Sequence, residues 1–169
     1  MKARGVEADD GIQFHEEVRI DAYQSGALVS DTRRLAELTR TCSDQFQLAC
    51  IARAVIVVAA AALEALLSEA AYLTKRTLYD DKKFRKAGVP EKFKKFMKRS
   101  SDDAERLWEY RNALTHAEPD NRRTRFVGEI INEVGALWVA STVEQLAVEV
   151  WQDQMPPWFR EMTELHPRK

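Results

Sequence analysis

Three polar side chains near the middle of the sequence could carry chemistry: Arg111, Asn112 and His116, in the segment RNALTH. Arg111 follows Leu107 and Trp108 at helical spacing, so it should leave the inward or boundary side of a helix. A partly buried guanidinium needs an acid or a phosphate as its partner. A histidine exchanges protons near neutral pH. The segment therefore could combine an anion-binding group, a polar orienting group and an acid/base group.

The same spacing also permits a structural interpretation, in which Arg111 pairs with a buried acid and His116 caps the last carbonyls of the helix. On a continuous helix, two positions five residues apart point about 140° away from each other. One helix therefore does not aim both side chains at one atom, and one histidine cannot act as acid and base on opposite sides of a phosphorus atom. A second copy of the chain would remove both objections.

Glu64 is the other unusual residue, because its helical neighbours are apolar or small. A carboxylate in such surroundings needs a polar partner. Arg111, Arg53 or a backbone amide could fill that place. We expect Glu64 to support the site rather than to touch the reacting atoms.

Positive charge is concentrated in residues 75–99, which contain 11 Lys and Arg against 3 Asp and Glu, although the whole chain has a formal net charge of -1. Such a block favours contact with a polyanion, and a merely solvated face is the alternative. Helical spacing turns Phe93, Phe96 and Met97 inward, which would leave the basic side chains in solvent. The predicted RNA-backbone contacts are Lys92, Lys94, Lys95, Lys98 and Arg99.

The elements that must position these residues are predicted to be helices. Good helix formers dominate, Gly and Pro number only 6 and 5, and no segment alternates like a strand. We therefore predict an all-α fold, an up-and-down bundle of four or five helices. Residues 1–28 would be an extension that is weakly structured or forms a short helix, 29–154 the bundle and 155–169 a tail.

Helix boundaries follow from capping residues and prolines. One long helix or two could cover Ser30 to Thr77, and Gly88 and Pro90 mark a connection after them. Ser101 or Asp102 should cap the motif helix, which Pro119 should end near Glu118. Asp120 or Asn121 should cap the last long helix, whose apolar stripe includes Ile130, Val134 and Trp138 and which should end at the proline pair of residues 156 and 157.

Composition also limits the cellular setting. The most apolar run, residues 54–63, is shorter than the roughly 20 residues that span a bilayer, and the N-terminus lacks the apolar core of a signal peptide. We expect a soluble, cytoplasmic protein without membrane contact. Cys42 and Cys50 form no disulfide framework, and no cysteine and histidine pattern suggests zinc. No metal or other cofactor is predicted.

The segment RNALTH resembles the signature of the HEPN superfamily, an Arg usually followed by a polar residue and then by a His four to six positions later. The preceding AAAALEALL is similar to the first core helix of many bacterial members, and the aromatic residues Trp108 and Tyr110 before the Arg also fit. The resemblance covers roughly residues 49–151. It adds a family context to a motif that is short by itself.

The resemblance implies an α-helical homodimer in which two motifs meet in one cleft, and in many members a metal-independent endoribonuclease. His116 would then be the general acid or base, Arg111 would hold the phosphate, and Asn112 would orient either of them. Members occur in toxin–antitoxin pairs, in phage defence and in RNA processing, so an antitoxin or other regulatory protein is a possible partner. The alternative is a non-catalytic HEPN module that binds RNA or a protein. A third possibility is a helical structural protein in which RNALTH is coincidental.

Overall fold

The computed structural model describes residues 24–115 and 128–166. Within these ranges every regular element is a helix, with eight α-helices, one short 3-10 helix at Gln152–Gln154 and no strand, which confirms the predicted all-α fold class. The helices are α1 Gln24–Thr39, α2 Gln45–Thr74, α3 Arg76–Asp80, α4 Lys82–Lys86, α5 Val89–Met97, α6 Asp102–Thr115, α7 Glu133–Trp151 and α8 Pro157–Thr163.

The number of helices exceeds the predicted four or five because the region between α2 and α5 contains two short helices and the predicted tail contains α8. The helices α3 and α4 have five residues each. Asp81 separates them, and its side chain accepts a hydrogen bond from the backbone N–H of Lys83 at 2.8 Å. This cap starts a new turn where the sequence indicated a loop.

The segment from Ser30 to Thr77, which the sequence left open between one helix and two, is divided between α1 and α2 and includes the first residues of α3. The break precedes Asp44, whose Oδ1 accepts hydrogen bonds from the N–H groups of Phe46 at 2.7 Å and Gln47 at 2.9 Å. Such an N-cap satisfies donors that a helix start leaves unpaired. The helix α2 therefore begins at Gln45 with its own cap.

The helix α1 includes residues 24–28, which were predicted to belong to the extension, and α2 contributes hydrogen-bond acceptors to its first described turn. Glu69 of α2 accepts hydrogen bonds from the N–H of Ser25 at 3.0 Å and from the hydroxyl of Ser25. Both residues are buried. The contact also places the start of α1 beside the end of α2, so the two helices run antiparallel.

The helix α2 is the centre of the bundle and packs against α1, α5, α6 and α7. Its buried face combines alanines, which allow close approach of neighbouring helices, with Leu63, Leu66 and Leu67. By length and composition, α2 is also the one helix of the described residues that could cross a bilayer. Half of its most apolar window is buried inside the bundle, and the core helix of a soluble protein passes the same test.

The last long helix begins at Glu133 and not at the predicted Asp120 or Asn121. Asn132 is its N-cap, and the side-chain oxygen accepts a hydrogen bond from the N–H of Gly135 at 2.9 Å. A Cβ on Gly135 would lie 2.1 Å from the carbonyl oxygen of Ile130, so the chain turns back on itself where only glycine fits. Val134 is 77% exposed, which corrects the predicted apolar stripe.

The predicted tail contains α8, which packs against α1. Met155, Phe159 and Thr163 are buried, and a Cβ on Gly26 would come within 3.0 Å of the sulfur of Met162. The core of the bundle therefore extends beyond residue 154, the boundary predicted from the proline pair.

Candidate functional site

The motif helix α6 has a well-defined start. Ser101, one of the two predicted caps, accepts a hydrogen bond through Oγ from the N–H of Ala104 at 3.3 Å. Asp102, Asp103 and Glu105 lie in the first turn, where carboxylates favour the positive end of the helix dipole. Both features stabilise the helix that carries the motif.

One face of α6 is buried through Ala104, Leu107, Tyr110 and Ala113. The Tyr110 ring meets the Trp138 ring of α7 edge to face, with 6.1 Å between the ring centroids. These contacts fix the rotation of α6 about its axis. The side chains that follow the buried face, including Arg111, therefore have a defined direction.

Trp108 and Arg111 are half-buried, so Arg111 leaves the boundary of the buried face as the spacing predicted. The guanidinium carbon lies 5.0 Å from the centroid of the Trp108 ring, which is cation–π distance. Arg111 Nη1 also donates a hydrogen bond to Oδ1 of Asn112 at 3.0 Å. The aromatic ring and the amide together orient the guanidinium.

Within residues 24–115 and 128–166, no carboxylate forms an ion pair with Arg111. The structural interpretation, in which a buried acid neutralises Arg111, therefore gains no support from the described residues. The charge is held in place by an aromatic ring and a neutral amide. Such a guanidinium can bind an anion without first breaking an ion pair to a carboxylate.

Trp108 is itself positioned by the start of α5. A Cβ on Gly88, the residue before α5, would lie 3.3 Å from the Trp108 indole. The absence of a side chain at Gly88 lets the indole approach the backbone closely. The ring that supports Arg111 therefore rests on a second helix.

His116 lies outside the described residues, together with the predicted helix end at Glu118 and the predicted cap at Asp120 or Asn121. The last described residue of α6 is Thr115, whose hydroxyl donates to the carbonyl of Arg111 at 3.0 Å. The structure thus brings together Arg111 and Asn112 of the three predicted catalytic residues.

Glu64 has a partner that the sequence did not indicate. Its Oε1 accepts a hydrogen bond from Nζ of Lys92 at 3.0 Å, and Ser68 Oγ lies 3.4 Å from the same nitrogen. The predicted partners, Arg111 and Arg53, form no ion pair with Glu64 in the described part of the chain. Lys92 was predicted to be solvated and to contact RNA, but its side chain is only 4% exposed. Its charge already serves the contact between α2 and α5.

The other predicted RNA contacts differ from one another. Lys95 pairs with Glu91 at 3.0 Å, and Arg99 pairs with Glu149 of α7. Lys94 and Lys98 are exposed and form no ion pair with a described residue. Phe93 and Phe96 are buried, as the helical spacing predicted. The basic block is therefore not one uniform positive surface, because three of its five predicted contacts form ion pairs with carboxylates and one of the three is buried.

An open depression of about 550 Å³, which the sequence did not indicate, lies between the starts of α2 and α7. Its lining consists of Gln45, Leu48, Glu129, Ile130, Trp138 and residues 132–135. Trp138 connects it to Tyr110 on the motif helix. The carboxylates of Glu129 and Glu133 make it a poor place for a phosphate. Its apolar residues suit contact with another protein surface better.

No family model, no curated protein and no solved structure matches this chain. Among the residues that the structure describes, no group of three or more His, Cys, Asp or Glu side chains could hold a metal ion.

Proposed function

We propose that this protein is a metal-independent endoribonuclease of the HEPN type that acts in the cytoplasm as a toxin or phage-defence effector. One observation carries the proposal: Arg111 is oriented by Trp108 and Asn112 and forms no ion pair within the described residues. An oriented, half-buried guanidinium is suited to a phosphate. His116, a residue type suited to proton transfer, follows within the same sequence motif.

RNA supplies its own nucleophile, so the reaction needs proton transfer and charge stabilisation and no metal ion. His116 takes the proton from the 2′-OH, and the 2′-oxygen attacks the phosphorus. The bond to the 5′-oxygen breaks, which leaves a cyclic phosphate end and a 5′-hydroxyl end. Positioned proton transfer of this kind contributes roughly 10²–10⁴-fold to the rate.

Arg111 binds the non-bridging oxygens of the phosphate and stabilises the charge that grows on them. Oδ1 of Asn112 accepts from Arg111, so the amide nitrogen of Asn112 stays available as a donor to the phosphate or to His116. Glu64 reaches Lys92 and not the motif, so its role is to hold α2 and α5 together.

A second copy of the chain supplies the acid that protonates the leaving 5′-oxygen, so the active form is a homodimer. Exposed apolar residues on α2 and α7 support this assembly: Phe46 is 75% exposed, Val57 41% and Val134 77%. Gln45 and Val134 line one depression, so the ends of α2 and α7 that carry Phe46 and Val134 are neighbours. Covering this surface with a second copy would remove apolar area from water.

The second candidate is a non-catalytic HEPN module that binds RNA or a regulatory protein such as an antitoxin. The same exposed residues, Phe46 and Val134, favour it, because they would suit a different protein equally well. The two candidates differ in whether the protein changes the RNA.

The deciding experiment incubates purified protein with mixed RNAs in EDTA and determines the chemistry of the ends. We expect cleavage with cyclic phosphate ends in the wild type and none in His116→Ala. His166→Ala is the matched control, because His166 is exposed and lies near the end of the chain. Equal cleavage by the wild type and His116→Ala would refute the assignment of His116 as the catalytic acid or base. Loss of cleavage in EDTA would refute the metal-free mechanism.

A further inference from the structure

A cluster of two tyrosines and one arginine lies where α2 ends and α3 begins. The rings of Tyr72 and Tyr79 meet edge to face, with 5.2 Å between their centroids. The guanidinium carbon of Arg76 lies 4.4 Å from the Tyr72 centroid and 5.5 Å from the Tyr79 centroid. Arg76 also pairs with Asp80 at 3.3 Å. These contacts hold all three side chains in defined directions.

The cluster is on the surface. Tyr72 is 37% exposed, its neighbour Leu73 is 47% exposed, and the Arg76 side chain is 59% exposed. Exposed aromatic rings and guanidinium planes are the groups on which unpaired bases stack. A rigid cluster of this kind binds with little loss of side-chain entropy, because its members are already ordered.

Unneutralised positive charge surrounds the cluster. Residues 75–86 include six Lys and Arg and two Asp. Both carboxylates have local partners, since Asp80 pairs with Arg76 and Asp81 caps α4. The exposed side chains of the four basic residues of α4 form no ion pair within the described parts of the chain. The basic residues of α4 are Lys82, Lys83, Arg85 and Lys86.

Two further lysines extend this charge. Lys75 Nζ donates to the carbonyl of Phe96 at 2.6 Å and lies 3.9 Å from the centroid of the Phe96 ring. Burial lowers the pKa of Lys75, and the neighbouring charge of Lys98 lowers it further. Two cations held near each other, without a carboxylate partner among the described residues, are stabilised by an incoming anion.

We propose that single-stranded RNA binds to this surface, with bases stacked on Tyr72, Arg76 and Tyr79 and phosphates held by Lys75, Lys98 and the basic residues of α4. The inference rests on the proposed function only in taking RNA as the ligand, and it names residues other than the cleavage motif. It moves the predicted path away from Lys92, which is buried against Glu64, and onto exposed basic residues that lie beside aromatic rings. An acidic protein could pair with the basic residues, but it has no bases to stack on the rings of Tyr72 and Tyr79.

The test measures binding without cleavage. A fluorescently labelled, fully 2′-O-methylated oligonucleotide of about 12 nucleotides, within the range of single-strand site sizes, cannot be cut by 2′-OH attack, and its polarisation reports affinity at several salt concentrations in EDTA. Tyr72→Leu should weaken binding about 5- to 100-fold with an unchanged salt dependence, since one stacking partner is lost. Arg76→Gln should weaken binding and reduce the log–log salt slope by about 0.7.

Two matched controls separate this surface from general charge and hydrophobicity. Arg34→Gln removes an exposed arginine of α1 that has no ion pair within the described residues, and Leu38→Ala removes an apolar side chain of the same helix that is 53% exposed. Both should bind like the wild type. Circular dichroism should show that every variant keeps its helices.

The outcomes distinguish this surface from the proposed nuclease. If Tyr72→Leu and Arg76→Gln bind the oligonucleotide with the wild-type affinity, the proposed RNA-binding surface is wrong, even if unmodified RNA is still cut. Weaker oligonucleotide binding by both variants supports the proposed surface. A wild type that cuts no RNA would contradict only the proposed nuclease activity. If the wild type binds poly-glutamate more tightly than the oligonucleotide, the surface serves an acidic protein and the proposal is wrong.

Discussion

Glu69 gives the bundle a pH dependence that can be measured against a matched variant. The carboxylate is 8% exposed and accepts hydrogen bonds from the N–H and hydroxyl of Ser25. Burial raises the pKa of Glu69 from 4.5 to about 7, and the hydrogen bonds from Ser25 oppose that rise only in part. Glu69 is therefore protonated far more readily in the folded protein than in the unfolded chain.

The direction of the effect follows from proton linkage. Between about pH 4.5 and 7 the folded state binds more protons at Glu69 than the unfolded state does, so stability falls as pH rises. The contribution is fully present below pH 4.5 and is lost as pH passes through about 7. A difference of about 2.5 pKa units corresponds to about 3 kcal/mol between pH 4 and pH 8.

Glu69→Gln removes this titration and keeps the shape of the side chain and an oxygen that accepts from Ser25. The assay is urea unfolding of the wild type, Glu69→Gln and the control Glu109→Gln, which removes an exposed carboxylate of α6. The free energy of unfolding of Glu69→Gln relative to the wild type should rise by about 3 kcal/mol from pH 4 to pH 8. Glu109→Gln should follow the wild-type curve. A relative stability of Glu69→Gln that is the same at both pH values would refute the reasoning.

Two further predictions concern packing and charge. Gly135→Ala should lower the free energy of unfolding by about 1–3 kcal/mol, because its Cβ would lie 2.1 Å from the Ile130 carbonyl oxygen, whereas Gly128→Ala, with nothing within 4 Å, should not. Thermal unfolding compares the pair, and equal midpoints would contradict the close approach. Lys92→Met should leave the salt dependence of RNA binding unchanged, because the Lys92 side chain is only 4% exposed and is paired with Glu64. It should change stability by no more than about 1–2 kcal/mol, because Glu64 is 47% exposed and stays hydrated without its partner. If the RNA affinity of Lys92→Met depends less steeply on salt concentration than that of the wild type, Lys92 contacts the RNA backbone and the reasoning is wrong.

Local signals in the sequence predicted the fold class and the orientation of single helices. Helix-forming composition indicated an all-α protein, and helical spacing placed Phe93 and Phe96 inside and Arg111 at the boundary of the buried face. The cap at Ser101 was also among the predicted ones. Each of these features depends on neighbours within a turn or two of helix, which the sequence order displays directly.

Contacts between distant segments could not be predicted in the same way. Glu64 and Lys92 are 28 positions apart, and Ser25 and Glu69 are 44 apart, so no local pattern showed that the lysine is buried or that Ser25 contacts α2. The start of α7 did have a local signal. Asn132 followed by an acidic residue is typical of a helix start, but the apolar spacing of Ile130 and Val134 concealed it.

The central claim, that Arg111 holds the scissile phosphate of an RNA, is tested most directly by single-turnover cleavage in EDTA with Arg111→Gln. Arg106→Gln is the matched control, since Arg106 lies on the same helix, is exposed and stacks over Trp138. The account predicts that the cleavage rate of Arg111→Gln falls about 10²–10³-fold, the cost of removing one group that stabilises transition-state charge, while Arg106→Gln cuts at the wild-type rate. Wild-type cleavage by Arg111→Gln would contradict the claim.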